Sequence, residues 1–310
     1  MDRNNKLMNV YKSAQNCIVK LRLDLDDPTT KTNLDRTNIT NDDSLYAKYR
    51  TNKAFVLEIY DKDTKKQMNE INSDYSNKFK YRVDESIQEN KYDDNLEKVN
   101  TTGIHFFLSE EVAYFWNKKM YNDTFKRWYD NGKLERLCTY RNGLIDGLFQ
   151  EWHELNGRIQ FESNYLNGKL HGEYKEFYDN GLTKIQCNYR NGKLHKTYKK
   201  WYNNDLNSIA MLYNYNNDRL DGVHKEWYDG VNNQIKIECT YRNKKLHGKY
   251  MEWYSDGQIR IECTYLNGCI DGMHKEWIAT DGIFIQSNYL NGKADEKKKV
   301  YNYVQKNDEN

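Results

Sequence analysis

Apolar and polar residues alternate in short runs over the C-terminal two-thirds of the chain, and turns rich in Asn, Asp and Gly separate the runs. In one such run, a single predicted face holds Ile235, Ile237, Cys239 and Tyr241. A period of two bounded by Asn-Gly or Asp-Gly is typical of β-hairpins, because these turns need a positive φ that Asn and Gly tolerate. An amphipathic helix fits neither the period nor the length of the runs. The pattern therefore predicts strands.

The same hairpin recurs seven times in tandem, at a spacing of 24 to 26 residues. A single hairpin cannot bury its own apolar face, so each unit is expected to rely on its neighbours, as in other repeat arrays. The predicted repeats one to seven are residues 124–147, 148–172, 173–196, 197–222, 223–248, 249–272 and 273–296. The array is thus predicted to span 124–296, followed by a charged tail, 297–310, that blunts the open sheet edge.

Stacked hairpins bring equivalent residues into columns. The aromatic column is Trp128, Trp152, Phe177, Trp201, Trp227, Trp253 and Trp277. The tyrosine column is Tyr140, Tyr165, Tyr189, Tyr215, Tyr241, Tyr265 and Tyr289. The aliphatic column is Ile145, Leu170, Leu194, Leu220, Leu246 and Ile270. We expect a thin fold in which Tyr and Trp cover much apolar area and keep a polar edge in water.

Residues 1–120 do not follow the hairpin repeat, and their sequence pattern predicts a small α+β domain ahead of the array. Strands are predicted at 17–24, 53–61, 78–87 and 103–109. Ser109, followed by two acidic residues, is typical of a helix N-cap and predicts a short helix through 112–119.

Composition and charge exclude some classes of function. The 48 basic and 46 acidic residues leave a net charge of +2, which gives no reason to expect nucleic-acid binding and little reason to expect an anionic membrane. Aromatic residues make up 14% of the chain, which argues against disorder. No run of about 18 apolar residues predicts a transmembrane helix. No secretory signal is evident, so a cytoplasmic protein with reduced thiols is expected.

Two columns carry residues that could do chemistry. Cys138, Cys187, Cys239 and Cys263 share a column with Ser163, Tyr213 and Ser287. Equivalent positions of successive hairpins lie about 10 Å apart, too far to share one metal ion. We therefore predict small side chains beneath the aromatic residues and no metal site, whereas Cys269, in a turn, is predicted to be exposed.

A second column contains His171, His195 and His247, with Asp146, Asp221, Asp271 and Asp295 at the other units. His/Asp exchange predicts a polar role beside the turns, satisfied by the backbone.

Three segments carry a signature that reads approximately Y-x-N-G-K-L-H-G: Tyr165–Gly172, Tyr189–His195 and Tyr265–Gly272. With the aromatic strand and second turn that follow, they resemble the short variant of the MORN repeat. The resemblance implies a mainly β protein, with a single-layer β-hairpin solenoid that makes protein–protein and sometimes membrane-proximal contacts.

The array departs from this signature at a few positions. Lys196 and Glu296 replace the last Gly of their units, and Asp218 and Lys244 replace the Gly of the turn. We expect repeat four to be the weakest, with a bend or bulge there.

The N-terminal segments 53–61, 92–95 and 103–116 together resemble an uncharacterised domain found ahead of repeat arrays in proteins of large DNA viruses of amoebae. The abundance of Asn, Lys, Tyr, Asp and Ile also suits an AT-rich genome. The resemblance implies a viral protein that works in the host cytoplasm or in the virion.

The best candidate for a binding site is a stripe of glutamates and tryptophans along the array, since exposed aromatic residues are common interface anchors. Its residues are Trp152, Trp201, Trp227, Trp253, Trp277, Glu151, Glu176, Glu226, Glu252 and Glu276. The alternative is that the glutamates only form a solvated face.

An enzymatic alternative rests on residues 103–116, which loosely resemble the Gly-Ile-Tyr-Phe segment of ADP-ribosyltransferase-like folds. That family needs a His-Gly pair on an earlier strand; segment 17–24 has none, and His105 lies within the motif itself. The chain also lacks a Gly-rich phosphate loop, an HExxH motif and a Ser nucleophile elbow. We therefore predict a non-catalytic interaction scaffold with a protein partner and no cofactor. A membrane-surface adaptor and a homo-oligomer formed through the open sheet edge are the further alternatives.

Overall fold

The computed structural model describes residues 6–74, 79–204, 206–230, 232–278, 283–295 and 299–302. Most of these residues lie in antiparallel strands, which confirms the predicted mainly β class. By their internal contacts the residues form two compact units, unit 1 (1–158) and unit 2 (159–310). The predicted N-terminal domain and the first hairpin of the array both belong to unit 1.

Unit 1 contains eleven described strands and one short α-helix. They are β1 (Leu7–Ala14), β2 (Cys17–Asp24), β3 (Lys48–Thr51), β4 (Lys53–Asp61), β5 (Glu70–Asn72), β6 (Lys80–Arg82), β7 (Ser86–Gln88), β8 (Ile104–Phe107), α1 (Glu110–Phe115), β9 (Asp123–Trp128), β10 (Leu134–Arg141) and β11 (Leu144–Trp152). Six of the strands form one sheet in the order β3-β8-β1-β2-β4-β7, β5 pairs with β6, and β10 pairs with both β9 and β11.

The predicted elements of the N-terminal domain are largely confirmed. Strands β2 and β4 have the predicted bounds, and β8 lies inside 103–109. The predicted strand 78–87, whose first residue lies outside the described residues, is two short strands, β6 and β7, because Asp84 adopts a positive φ of 62° between them. Helix α1 begins after Ser109, whose side chain accepts a hydrogen bond from Glu111 N at 3.2 Å, but it ends at Phe115 rather than at residue 119.

The N-terminal sheet has an aliphatic core and an embedded cation. Val10, Leu21, Val56 and Ile59 are fully buried. Arg50 is equally inaccessible and donates to the backbone carbonyls of residues 93, 95, 98 and 102. Burying a guanidinium is tolerated only when its donors are satisfied, so this side chain fixes the loop ahead of β8.

The first hairpin packs on the N-terminal sheet. The Trp128 ring, 8% exposed, stacks on the Tyr46 ring at 5.5 Å, and Asp130 O accepts from Lys48 N at 3.2 Å. Gly132, with a φ of +93°, leaves no room for a side chain, because a Cβ there would lie 2.1 Å from Asp43 O.

Unit 2 contains strands only, as far as it is described. They are β12 (Ile159–Leu166), β13 (Lys169–Phe177), β14 (Thr183–Arg190), β15 (Lys193–Leu194), β16 (Lys196–Trp201), β17 (Ile209–Asn216), β18 (Arg219–Trp227), β19 (Ile235–Arg242), β20 (Lys245–Trp253), β21 (Ile259–Leu266), β22 (Cys269–Ile270), β23 (Gly272–Ile278), β24 (Ile283–Leu290), β25 (Lys293–Ala294) and β26 (Lys299–Asn302). Neighbouring strands pair antiparallel. Three sides of hairpins are each divided into two strands that both pair with the preceding strand: β15 and β16 with β14, β22 and β23 with β21, and β25 and β26 with β24.

The turn of each repeat has two consecutive residues with positive φ, as a type I′ turn requires. Repeat four keeps this geometry, since Asn217 and Asp218 have φ of 49° and 63°. Register shifts occur in repeats two and five as well as in repeat four. The bulge expected in repeat four is therefore present, but it also occurs in other repeats and so does not result from the residues in which repeat four departs from the signature.

A second bulge breaks the predicted alternation. Ile237 pairs with Glu226, whereas Ile235 pairs with Trp227, so Lys236 is the extra residue. Two residues of one strand then oppose one of its partner, which interrupts the period of two. The alternation predicted from residue 235 to residue 241 therefore holds only from Ile237 onward.

Hydrogen bonds link each hairpin of unit 2 to its neighbours at both ends. At the type I′ turns, the second residue donates its N–H to the aliphatic column of the preceding repeat, as Gly268 N does to Leu246 O at 2.8 Å. At the other end, the tyrosine after the aromatic column donates its hydroxyl to the backbone carbonyl of the next aromatic-column residue. The donors are Tyr178, Tyr202, Tyr228 and Tyr254, at 2.7 to 2.9 Å.

Candidate functional site

One face of unit 2 is lined by aromatic rings. The tyrosine column contributes one row, and a second row comes from the position three residues before the aromatic column: Tyr174, Tyr198, His224, Tyr250 and His274. The rows touch: the Tyr250 and Tyr265 ring centroids lie 5.7 Å apart, and those of His274 and Tyr289 lie 5.8 Å apart. All these rings are half-buried. We call this surface, formed by the two rows, the aromatic face.

The second row was missed in the sequence, although the signal was present. The equivalent positions in repeats one and two are Phe125 and Phe149, so all seven repeats carry a ring there. Two of the seven rings are histidines, so a column defined only by tyrosine and tryptophan does not include them.

The predicted stripe is half-buried along its length. Trp152, Trp201, Trp227, Trp253, Trp277, Glu151, Glu176, Glu226 and Glu276 are intermediate in exposure, and Glu252 is 9% exposed. Each glutamate directly precedes the aromatic-column residue, and neighbouring residues of a strand point to opposite faces of a sheet. The stripe therefore divides into a glutamate row and a tryptophan row on opposite faces.

Contacts place the glutamates on the aromatic face. Glu226 accepts from the Tyr213 hydroxyl at 2.8 Å and lies 3.3 Å from His224 Nε2. Glu252 accepts from the Tyr250 hydroxyl at 3.4 Å and pairs with Arg260. These carboxylates are not a freely solvated row, because protein donors already bind them.

The tryptophans lie on the other face. In the last hairpin, Glu276 pairs with Ile285, whereas Trp277 pairs with Phe284 and stacks on it at 5.7 Å. Ion pairs between neighbouring strands, such as the one that joins Lys249 and Glu262 at 3.1 Å, lie on this same face. This face is charged and internally neutralised.

The cysteine column has the predicted structural role. Cys187, Cys239 and Cys263 are 1 to 3% exposed, and burial raises the pKa of Cys187 and Cys263 to about 11 and that of Cys239 to about 12. Such thiols are poor nucleophiles at neutral pH. Cys269 is exposed, as predicted.

At the turn-flanking positions, some side chains accept hydrogen bonds from the backbone of the following turn, whereas Nδ1 of His171 and of His195 is buried without a hydrogen-bond partner among the described residues. The prediction that the backbone satisfies these side chains is therefore confirmed only in part. His247 Nδ1 accepts from Asn267 N at 3.5 Å, and Asp271 Oδ1 accepts from Asn291 N at 3.1 Å. Over the described ranges, no three His, Cys, Asp or Glu side chains are grouped so that they could hold a metal ion.

His105, the residue that the enzymatic alternative singled out, borders a cavity of about 700 Å³ in unit 1. Its Nε2 lies 2.8 Å from Val99 O, so this nitrogen carries the proton and donates it. Burial lowers the pKa of His105 to about 4, which keeps the ring neutral near pH 7. A neutral, tethered imidazole can accept a hydrogen bond through Nδ1.

The segment 92–95, which also contributed to the resemblance, forms part of the loop that Arg50 holds. The Arg50 guanidinium lies over the Tyr92 ring at 4.6 Å. This segment therefore has a structural role in closing the N-terminal domain. None of the described helices is long and apolar enough to cross a bilayer.

Comparison with known families supports both parts of the description. Residues 5–113, which contain the six-stranded sheet, match the profile of a family of unknown function (DUF5758). Three further stretches, 124–142, 170–191 and 246–267, match the profile of the MORN repeat variant. No curated protein matches the chain. Each of the three stretches covers a pair of strands in the array, so the β-hairpin array of this chain is similar to the MORN repeat variant at these three places.

Proposed function

We propose that the protein is a non-catalytic scaffold that binds a partner protein through the aromatic face. One observation supports this most: two touching rows of half-exposed rings run across five consecutive repeats of unit 2. Unit 2 as described contains only strands, so none of its described elements forms a second layer on this face. Half-exposed Tyr and His rings can lose more surface on association, and aromatic residues are enriched at interface centres.

The carboxylates beneath the rings suggest the chemistry of the partner. Glu226 and Glu252 are held among tyrosine hydroxyls and are largely shielded from water. A partner segment with apolar side chains and an Arg or Lys would contact the rings and complement the charge of Glu226, whereas Glu252 is already paired with Arg260. We propose such a basic, amphipathic segment as the ligand.

The chain offers a matched pair of variants to test this proposal. Tyr250→Ala with His274→Ala removes two adjacent rings of the aromatic face. Lys249→Ala with Met273→Ala changes the preceding residues, which are exposed and alternate to the other face. Proteins captured from a host-cell extract by each full-length variant would be quantified by mass spectrometry, with thermal unfolding as a check on folding.

A true partner is expected to bind the wild type and the control pair, and to fall by at least about tenfold on the ring pair, as expected for interface anchors. Tyr250→Phe keeps the ring and is expected to retain binding. If the folded ring pair retains every captured protein, the proposal is wrong. Flotation of the protein with anionic vesicles would instead favour the membrane-surface alternative.

We also propose that the protein is of viral origin and works in the host cytoplasm or in the virion. Support comes from the N-terminal resemblance and from the Asn- and Lys-rich composition. Immunodetection in infected cells and in purified particles would test this. Detection in uninfected cells would contradict it.

A further inference from the structure

The cavity beside His105 lies between the N-terminal sheet and the first hairpin, both within unit 1. Lys12 from β1, Lys48 from β3 and Asp130 from the turn after β9 line it, together with the Phe107 and Trp116 rings. Its volume of about 700 Å³ lies within the range of small-molecule sites, which is about 300–1,000 Å³.

Three lysine ammonium groups meet around this cavity. Lys12 Nζ donates to His105 O at 3.1 Å. Lys48 Nζ donates to Asn100 Oδ1 at 2.6 Å and lies 3.9 Å from Asp130. Behind the wall, Lys62, 1% exposed, donates to Ser13 Oγ at 2.8 Å and to Trp116 O at 2.7 Å.

The charges that line the cavity are unevenly paired. Two lysines, Lys12 and Lys48, and two carboxylates, Asp74 and Asp130, line it. Among the described residues, Lys48 has a carboxylate within 4.0 Å, whereas Lys12 has none. The Lys12 ammonium is therefore the cation at this cavity that lacks a close counter-ion.

Lys12 and Lys62 have lowered pKa values, and burial is the main cause. Burial lowers the pKa of Lys12 to about 8, against the attraction of Asp74 and with the repulsion of Lys48. Burial also lowers the pKa of Lys62 to about 8. A buried ammonium without a counter-ion is costly, so an anion that entered the cavity would stabilise the charged form.

The apolar part of the wall is aromatic. The Phe107 and Trp116 rings pack against each other with centroids 5.1 Å apart, and Lys48 Nζ lies 4.9 Å from the Trp116 centroid. The Thr102 hydroxyl supplies a further donor at the same cavity, whereas the Thr101 hydroxyl already donates to Asp93 Oδ2 at 2.9 Å. Cations and hydroxyl donors beside an aromatic wall are the elements of a site for a ring that carries an acidic group.

We propose that this cavity binds a small aromatic anion, with its acidic oxygens between Lys12 and Lys48 and its ring against Phe107 and Trp116. The acidic group is a phosphate or a carboxylate, and both present anionic oxygens to the two lysines. This site is separate from the aromatic face, so either proposal can fail without the other.

Calorimetric titration of the full chain with phenyl phosphate and with benzoate tests the proposal. We expect at least one of them to bind with a submillimolar Kd, and the stronger of the two identifies the acidic group. Benzyl alcohol, which has the ring without the charge, is expected not to bind. The proposal is wrong if neither anion binds, or if inorganic phosphate binds as tightly as phenyl phosphate.

Variants separate a binding role of the lysines from a structural one. Lys12→Met and Lys48→Met are each expected to weaken binding by at least about tenfold, whereas Lys65→Met, at an exposed lysine beside Glu110, leaves it unchanged. Replacing a buried unpaired charge by an apolar side chain is often neutral or stabilising, so Lys12→Met should keep or raise the Tm of the empty protein. A lower Tm with unchanged binding would show that Lys12 only supports the fold.

The pH dependence gives a second readout. The charged or titratable groups that face Lys12 are Asp74, Lys48, His105 and Tyr81, whose ring lies 5.8 Å from Nζ. The pKa of His105 is far below this range and burial raises that of Tyr81 far above it, so the groups that titrate near pH 8 are Lys12, which lines the cavity, and Lys62, behind its wall. Affinity should fall several-fold from about pH 7 to about pH 9, as these lysines lose their protons. Lys12→Met should reduce this fall, and an unchanged fall in that variant would contradict the assignment to Lys12.

Discussion

Lys244 is the residue at which a substitution should stabilise the array. It occupies the second position of the repeat-five turn with a φ of 69°, after Asn243 at 51°. The left-handed region costs an L-residue with a Cβ about 1–2 kcal/mol. Glycine removes this cost but loses about 0.5–1 kcal/mol through its freer unfolded state. The N–H that donates to Leu220 O at 2.9 Å is kept, so Lys244→Gly should add about 0.5–1 kcal/mol to the free energy of unfolding.

The assay is urea unfolding of the full chain, with thermal unfolding as a second measure. A gain of this size should raise the Tm of a unit of this length by about 1–4 °C. Two matched variants control the result. Gly268→Lys places the same residue in the equivalent turn of repeat six, where φ is 94°, and should destabilise by a similar amount. Asp218→Gly should gain little, because the Asp218 carboxylate accepts from Leu194 N at 2.7 Å and that bond would be lost.

The reasoning predicts an ordering rather than one number. Lys244→Gly must be more stable than the wild type, and Gly268→Lys must be less stable. If Lys244→Gly is neutral or destabilising while the m-value stays constant, backbone strain does not govern these turns. The stability of the array would then depend on side-chain packing alone.

Four further predictions follow from individual contacts. Tyr228→Phe removes one hydroxyl bond between repeats and should lower the unfolding free energy by about 1 kcal/mol, measured in urea. Gly132→Ala should cost about 2–4 kcal/mol by calorimetry, from a clash with backbone and a positive φ, whereas Gly257→Ala, which meets only a flexible side chain at the equivalent turn, should cost about 1 kcal/mol. Native-state maleimide labelling should modify one thiol quickly, and Cys269→Ser should abolish that reaction. Finally, the folded-state pKa of His105 is lowered to about 4, so its contribution is present above the ordinary value and is lost as pH falls from about 6.5 towards 4. Between about pH 7 and pH 4.5 the wild type should lose roughly 2–3 kcal/mol more than His105→Gln.

The repeat array could be predicted because each of its elements is specified locally. A turn that begins with Asn, an alternating strand and a regular spacing recur seven times, and five of the seven turns are Asn-Gly. The structure has these hairpins at the predicted positions. Bulges could not be predicted in this way. The extra residue at Lys236 depends on how two strands pair, and strand pairing is not visible in the alternation of one strand.

The binding face was harder to predict, because the side chains of two neighbouring residues in a strand point to opposite faces of the sheet. Glu252 and Trp253 were grouped as neighbours in sequence, but alternation along a strand separates them onto two faces. The row that includes Tyr250 and His274 was passed over because its members differ in residue type. A search for any ring at a fixed spacing would have found it.

Two strands of the main sheet, β1 and β3, were not predicted from the sequence. They contain the two lysines of the proposed anion site, Lys12 and Lys48. Lys12 on β1 and Lys48 on β3 occupy positions where a core strand would carry an apolar residue, and Arg50 on β3 is fully buried. Buried polar residues weaken the hydrophobic pattern and reduce stability, so a fold retains them where they bind a ligand or fix a loop. Arg50 meets the second condition, because its donors hold the loop ahead of β8. Lys12 donates one hydrogen bond, lies 5.8 Å from the Tyr81 ring and faces a cavity, so the proposed anion site gives a reason for a cation at that position.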